Sequence, residues 1–179
     1  VQAFLLKQGI SERKNILVSG GPGSGKTTLT NSLLDVMAEV VPDGHRVLIL
    51  EQVPELRCRV SNHKRLLTTN TVDLRTLLWI AMRNSPDRIV VGEVRDGAAL
   101  DMLKAWNTNC TGGVTTIHAN SPKAAMQRVI DLSLEAIATA PYALAQEAID
   151  WVIQLNRDVT CKAGRRVTSL MAVPAGVNG

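Results

Sequence analysis

The chain has 179 residues, 45% of them hydrophobic and 20% charged, with a net charge of +4 and a pI near 9.2. That length and balance exclude a disordered polar chain and fit one globular domain able to bury about 70% of its unfolded surface. Cys58, Cys110 and Cys161 stand far apart with no C-x-x-C pair, which argues against a disulfide framework or a zinc site and suits a reducing cytoplasm. The longest stretch without Asp, Glu, Lys or Arg, residues 105–122, is rich in Asn, Thr and Gly, so no span is expected there and any membrane association is expected to be peripheral.

In chain order, residues 15–19 (NILVS) form the first apolar run and read as a buried strand. Gly20-Gly21-Pro22-Gly23-Ser24-Gly25-Lys26-Thr27 comes next and fits the phosphate-loop pattern G-x-x-x-x-G-K-[ST] at every fixed position. Leu29, Leu33, Val36, Met37 and Val40 then recur as the stripe of an amphipathic helix. A strand, a glycine-rich turn and a helix in this order make a triphosphate cradle. Glycine adopts positive φ without penalty and has no Cβ to block the phosphate, and the helix start adds about half a positive charge. Residues Gly21 to Thr28 are therefore the expected nucleotide contacts, with Lys26 reaching the β- and γ-phosphates and the Thr27 hydroxyl taking a place around Mg²⁺.

Further strands are predicted at 46–50, 88–94, 113–118, 151–155 and 166–173. Helical spacing lies between them at Leu74, Leu77, Leu78 and Ala81, at Ala99, Met102, Leu103 and Trp106, and at Met126, Val129, Ile130, Leu134 and Ile137, the last opened by Ser121-Pro122. This alternation predicts an α/β domain, a mostly parallel sheet with helices on both faces. Residues 156–165 join the last two strands into an antiparallel hairpin at the sheet edge. Arg57, Arg59, His63, Lys64 and Arg65 cluster and read as a solvated loop or an interface with an acidic neighbour. No aromatic residues interleave with them, so a nucleic-acid groove is the weaker alternative.

Three acids end strands near the loop: Glu51, Glu55 and Glu93. Glu93 closes the buried run Ile89-Val90-Val91-Gly92 and reads as the Walker B acid at the carboxyl edge of the sheet, near Mg²⁺. One further strand, 46–50, comes between the loop strand and this one, a layout that leans toward motor-type ATPases. From spacing alone Glu55 is either the carboxylate that polarises the attacking water or a solvated loop residue after Pro54. His118 ends the run Val114-Thr115-Thr116-Ile117 and is either a γ-phosphate sensor or a structural histidine.

Together these motifs resemble the secretion traffic ATPases of type IV secretion and conjugal DNA transfer, TrbB type. Four boxes match in order and spacing: 20–28 (GGPGSGKTT), 50–56 (LEQVPEL), 86–95 (PDRIVVGEVR) and 112–120 (GGVTTIHAN). The resemblance implies a RecA-like P-loop NTPase that hydrolyses ATP with Mg²⁺, in which Glu55 activates water, Glu93 completes the Walker B site and His118 couples nucleotide state to movement. It also implies a homo-oligomer, a hexameric ring on the cytoplasmic face of the inner membrane alongside other secretion subunits, powering export or pilus assembly. Gln52 departs from the family's Asp in the acidic box, Asn109-Cys110 replace Gly-His, and Trp79 and Ser85 replace basic residues. The chain starts at Val1 with the loop soon after, so residues 1–179 are expected to be one RecA-like ATPase domain, the C-terminal half of a longer protein. A nucleic-acid-stimulated ATPase of the recombinase or helicase kind is the alternative reading.

Overall fold

Four of the apolar runs, β1 (Ile16–Gly20), β2 (Val47–Glu51), β4 (Arg88–Val91) and β5 (Val114–Ile117), are buried at every position, as strands covered on both faces must be. The computed structural model describes residues 2–174. Its remaining elements are α1 (Gln2–Ser11), α2 (Lys26–Val40), β3 (His63–Leu67), α3 (Leu74–Met82), α4 (Ala98–Trp106), α5 (Pro122–Ser133), α6 (Tyr142–Ala148), β6 (Trp151–Arg157) and β7 (Arg165–Ala172). They surround one seven-stranded sheet of order β3-β2-β4-β5-β1-β6-β7, parallel except for the β6–β7 pair. The period of two along each strand divides the core. Ile16 and Val18 pack with Ile10, Leu33, Leu34 and Met37 under α1 and α2, while Leu17 faces Leu77, Met102, Leu103 and Val129 under α3, α4 and α5.

Both faces carry helices and an antiparallel pair closes one edge, as expected. Asp73 caps α3 by accepting from the Thr76 amide, and Ser121 caps α5 by accepting from the Ala124 amide with Pro122 in the first turn. Four details differ from the sequence reading. First, the strand that separates β1 from β4 in space is β5, the strand leading to His118. The 46–50 run becomes β2 on the far side of β4. Chain order cannot reveal this, because a parallel strand can be added at either edge of its predecessor.

Second, part of the basic cluster is the edge strand β3, paired with β2 by its backbone. Its side chains are mostly exposed, so neither alternation nor an apolar run marks it. Third, α1 and α6 carry no clear stripe. Within α1, a Cβ on Gly9 would lie 2.3 Å from the Trp151 ring, so a residue that weakens the helix locally is the one that lets it dock on β6. Fourth, α5 stops at Ser133, and Leu134 and Ile137 lie beyond it, exposed.

The edge of the sheet where the parallel strands begin is fastened by buried polar groups. Asn15 Nδ2 donates to the carbonyls of Trp106 and Ala148, and its Oδ1 accepts from the amides of Gly112 and Gly113. Arg88, 2% exposed, donates to the Ile10 and Gly112 carbonyls, and burial pushes its pKa down to about 10. With β1, β2, β4 and β5 parallel, the loop, Glu51, Glu93 and His118 all emerge at the opposite edge.

Candidate active site

β1 ends at Gly20, and the next residues turn sharply into α2. Gly23 and Gly25 take φ of 68° and 95°, a region that L side chains rarely adopt. Gly25 is the N-cap of α2 and supplies no side-chain cap, so the free amides of the first turn remain available to an anion. Ser24 is buried, and its Oγ has no hydrogen-bond partner. Lys26, 8% exposed, folds its ammonium back onto the Gly20 carbonyl (2.9 Å) and the Gly21 carbonyl (3.3 Å). Burial lowers its pKa, Glu93 opposes that shift and Arg95 adds to it. A glycine cradle, an uncapped helix start and a buried cation held at its mouth fit a nucleotide triphosphate.

Strand ends bring the other groups to the same place. A pocket of about 320 Å³ is lined by residues that include Lys26, Thr27, Glu55, Glu93, Arg95 and His118. The His118 ring spans two of them: Lys26 Nζ lies 3.3 Å from Nδ1, and Glu93 Oε1 lies 2.9 Å from Nε2. The ammonium can only donate, which makes Nδ1 the acceptor and leaves Nε2 to carry the ring proton. Arg95 Nε donates to the other carboxylate oxygen of Glu93 at 2.8 Å, and this contact raises the pKa of Arg95. Arg95 is thus an ion-pair partner of Glu93. Two other arginines near these motifs lie elsewhere: Arg88 sits at the far edge of the sheet, and Arg83 stacks 4.2 Å from the Trp79 ring centroid.

Glu55 lies exposed on the loop after β2, and its Oε2 accepts from the Thr27 hydroxyl at 3.1 Å. The loop itself is held by Glu51. Its buried Oε1 accepts from the amides of both Glu55 and Leu56 at 2.9 Å, and its Oε2 pairs with Arg65 Nε at 3.0 Å. The strand-end spacing brought out Glu51 as an acid but neither this capping role nor its pairing with Arg65 of the unexpected strand β3. Gly21, Pro22 and Thr28 lie at the surface around the loop, and Ser24 is buried behind it. Gln52 faces the same pocket from the acidic loop.

Sequence reasoning passed over two side chains against the loop. A Cβ on Gly23 would lie 2.2 Å from Arg157 Nη2, and one on Gly25 would lie 2.5 Å from Arg165 Cδ, so both arginines rest on the loop's backbone. The only signal was their position in the hairpin, which read as a connection.

A family described as "Type II/IV secretion system protein" matches residues 2–177. The chain belongs to that family. Among relatives of the type II/IV secretion system family, the conjugal transfer protein TrbB of Rhizobium radiobacter is 44% identical over 172 residues, covering 96% of this chain and 52% of that protein. The type IV secretion system protein PtlH of Bordetella pertussis is 35% identical, covering 92% of this chain and 52% of its own length. Among solved structures, the VirB11 ATPase from the Brucella suis type IV secretion system superposes with a TM-score of 0.86 at 28% identity, over 96% of this chain and 52% of that one. The RecA-like fold class follows from that likeness. The chain spans about half the length of the relatives it matches.

Proposed function

We propose that this chain is an ATP-hydrolysing motor domain of a type IV secretion or conjugal transfer system. The observation that carries the reading is the meeting of Lys26, Thr27, Glu55, Glu93 and His118, delivered by four separate strand ends, in one pocket beside the phosphate loop. Lys26 neutralises charge on the β- and γ-phosphates, and Glu55 orients the attacking water. Water adds to the γ-phosphorus, the bond to the β,γ-bridging oxygen breaks, and ADP and phosphate leave. The Thr27 hydroxyl and Glu93, the latter through water, are the groups suited to holding Mg²⁺, which offsets phosphate charge when bound. His118 reports the γ-phosphate, because it touches both Lys26 and Glu93.

In this reading residues 1–179 are one ATPase domain of a longer protein, in keeping with the half of each relative that the chain matches. The whole protein works as a ring-shaped homo-oligomer, a hexamer, on the cytoplasmic face of the inner membrane beside other secretion subunits. Turnover opens and closes its subunits to drive export or pilus assembly. No helix among the described residues is long and apolar enough to cross a membrane.

The test is phosphate release by the full chain with MgATP, wild type against Glu93→Gln. The variant is expected to bind ATP and to lose about a hundredfold or more of turnover. Equal rates of phosphate release would remove the enzymatic reading.

A further inference from the structure

β6 and β7 pair regularly from Trp151↔Ala172 to Gln154↔Ser169, and then the register slips so that Leu155 faces Val167. Thr168 is the extra residue of a β-bulge, a feature that bends a strand and re-aims the side chains beyond it. Had the pairing continued without it, Arg157 would face Arg166. With it, Arg157 faces Arg165, and Arg166 is released to pair with Asp158 at 3.2 Å. Two like charges directly across an antiparallel pair repel each other. Among the described residues neither Arg157 nor Arg165 has a carboxylate partner. Both side chains instead lie on Gly23 and Gly25, the two positive-φ glycines of the phosphate loop, where any Cβ would displace them.

We infer that the Arg157–Arg165 pair is an anion clamp on the outer side of the loop, taking the α-phosphate of the bound nucleotide. The assignment rests on the phosphate-loop reading and adds to it where the nucleoside end lies. Glu55, Glu93 and Arg95 gather on the side of β1 that leads to β5, β4 and β2, which marks the γ-phosphate end. The hairpin lies on the opposite side of β1, so a phosphate chain crossing the loop carries its α-phosphate and ribose toward β6 and β7. A guanidinium is a planar fork of donors suited to phosphate oxygens, and an anion between the two arginines relieves their repulsion.

The experiment measures calorimetric affinity of the full chain for MgATP and MgADP in wild type, Arg157→Gln, Arg165→Gln and Lys26→Ala, with a thermal melt of each nucleotide-free protein. Each arginine variant is expected to weaken ATP and ADP alike by about tenfold, which is about 1.4 kcal/mol, because both nucleotides carry the α-phosphate. Its nucleotide-free melt should match or exceed that of the wild type, because a repulsion has been removed. Unchanged affinity for both nucleotides would overturn the clamp, and weakening of ATP alone would place these arginines at the γ-phosphate and overturn the α-phosphate assignment. Absence of ATP binding by the wild type would instead strike the phosphate-loop reading, and the Lys26→Ala control identifies that case.

Discussion

Glu51 is a sharp probe of how this site is built, because it touches the candidate catalytic loop only through backbone. In Glu51→Ala the buried Leu56 amide loses a charged acceptor at 2.9 Å and so does the half-buried Glu55 amide. Leaving a buried amide unpaired costs about 1–3 kcal/mol, and the Glu55 amide, which water can reach, adds less. Arg65 Nε loses its partner at 3.0 Å, but its side chain is 36% exposed and water replaces most of that contact. The sum is about 3 kcal/mol, or roughly 6–12 °C in Tm for a domain of this size. Glu51→Gln keeps the shape and one acceptor oxygen, so about 1 kcal/mol is expected. The kinetic effect is larger than the thermal one in the Gln variant, because a displacement of about 1 Å in a water-orienting group can cost about a hundredfold in rate. ATP hydrolysis should therefore fall at least tenfold in both variants, while ATP affinity, set by the loop and Lys26, stays within about threefold. Phosphate release at saturating ATP, calorimetric affinity and thermal melts of the same preparations measure all three quantities. Wild-type turnover in Glu51→Ala at a temperature where it is folded would refute the idea that this carboxylate positions Glu55.

Two further outcomes stem from burial. Lys26 has its pKa lowered by desolvation, so between that lowered value and the usual 10.5 the unfolded chain holds a proton that the folded chain has released. Stability of the wild type relative to Lys26→Met should accordingly rise as pH climbs through the alkaline range toward 10.5, as read by denaturant unfolding at each pH, and a difference that stays flat or falls would contradict this. Gly113→Ala places a Cβ 2.3 Å from Trp106 Nε1 and 2.4 Å from the Ile89 carbonyl, the two groups that hydrogen-bond to each other at 3.0 Å. Overpacking and the strained bond should cost about 2–4 kcal/mol, seen as a lowered Tm, and an unchanged melt would show that the contact yields freely.

The phosphate loop, its helix and the strand leading to Glu93 were legible in the residues alone, because a loop of this kind is a contiguous string whose roles derive from peptide geometry. The buried parallel strands were likewise legible as runs rich in apolar and β-branched residues at 15–19, 46–50, 88–94 and 113–118, and β1, β2, β4 and β5 fall within or beside them. Tertiary structure alone decided which strand separates the loop from Glu93, since chain order leaves open the edge at which a parallel strand adds. It alone showed β3, which is held by backbone pairing while its side chains stay in solvent, and so brought Arg65 to Glu51. It alone set Arg157 against Arg165 over the loop, because one bulged residue, Thr168, changes which arginine faces which, and a register is a relation between two strands that neither strand's own sequence contains.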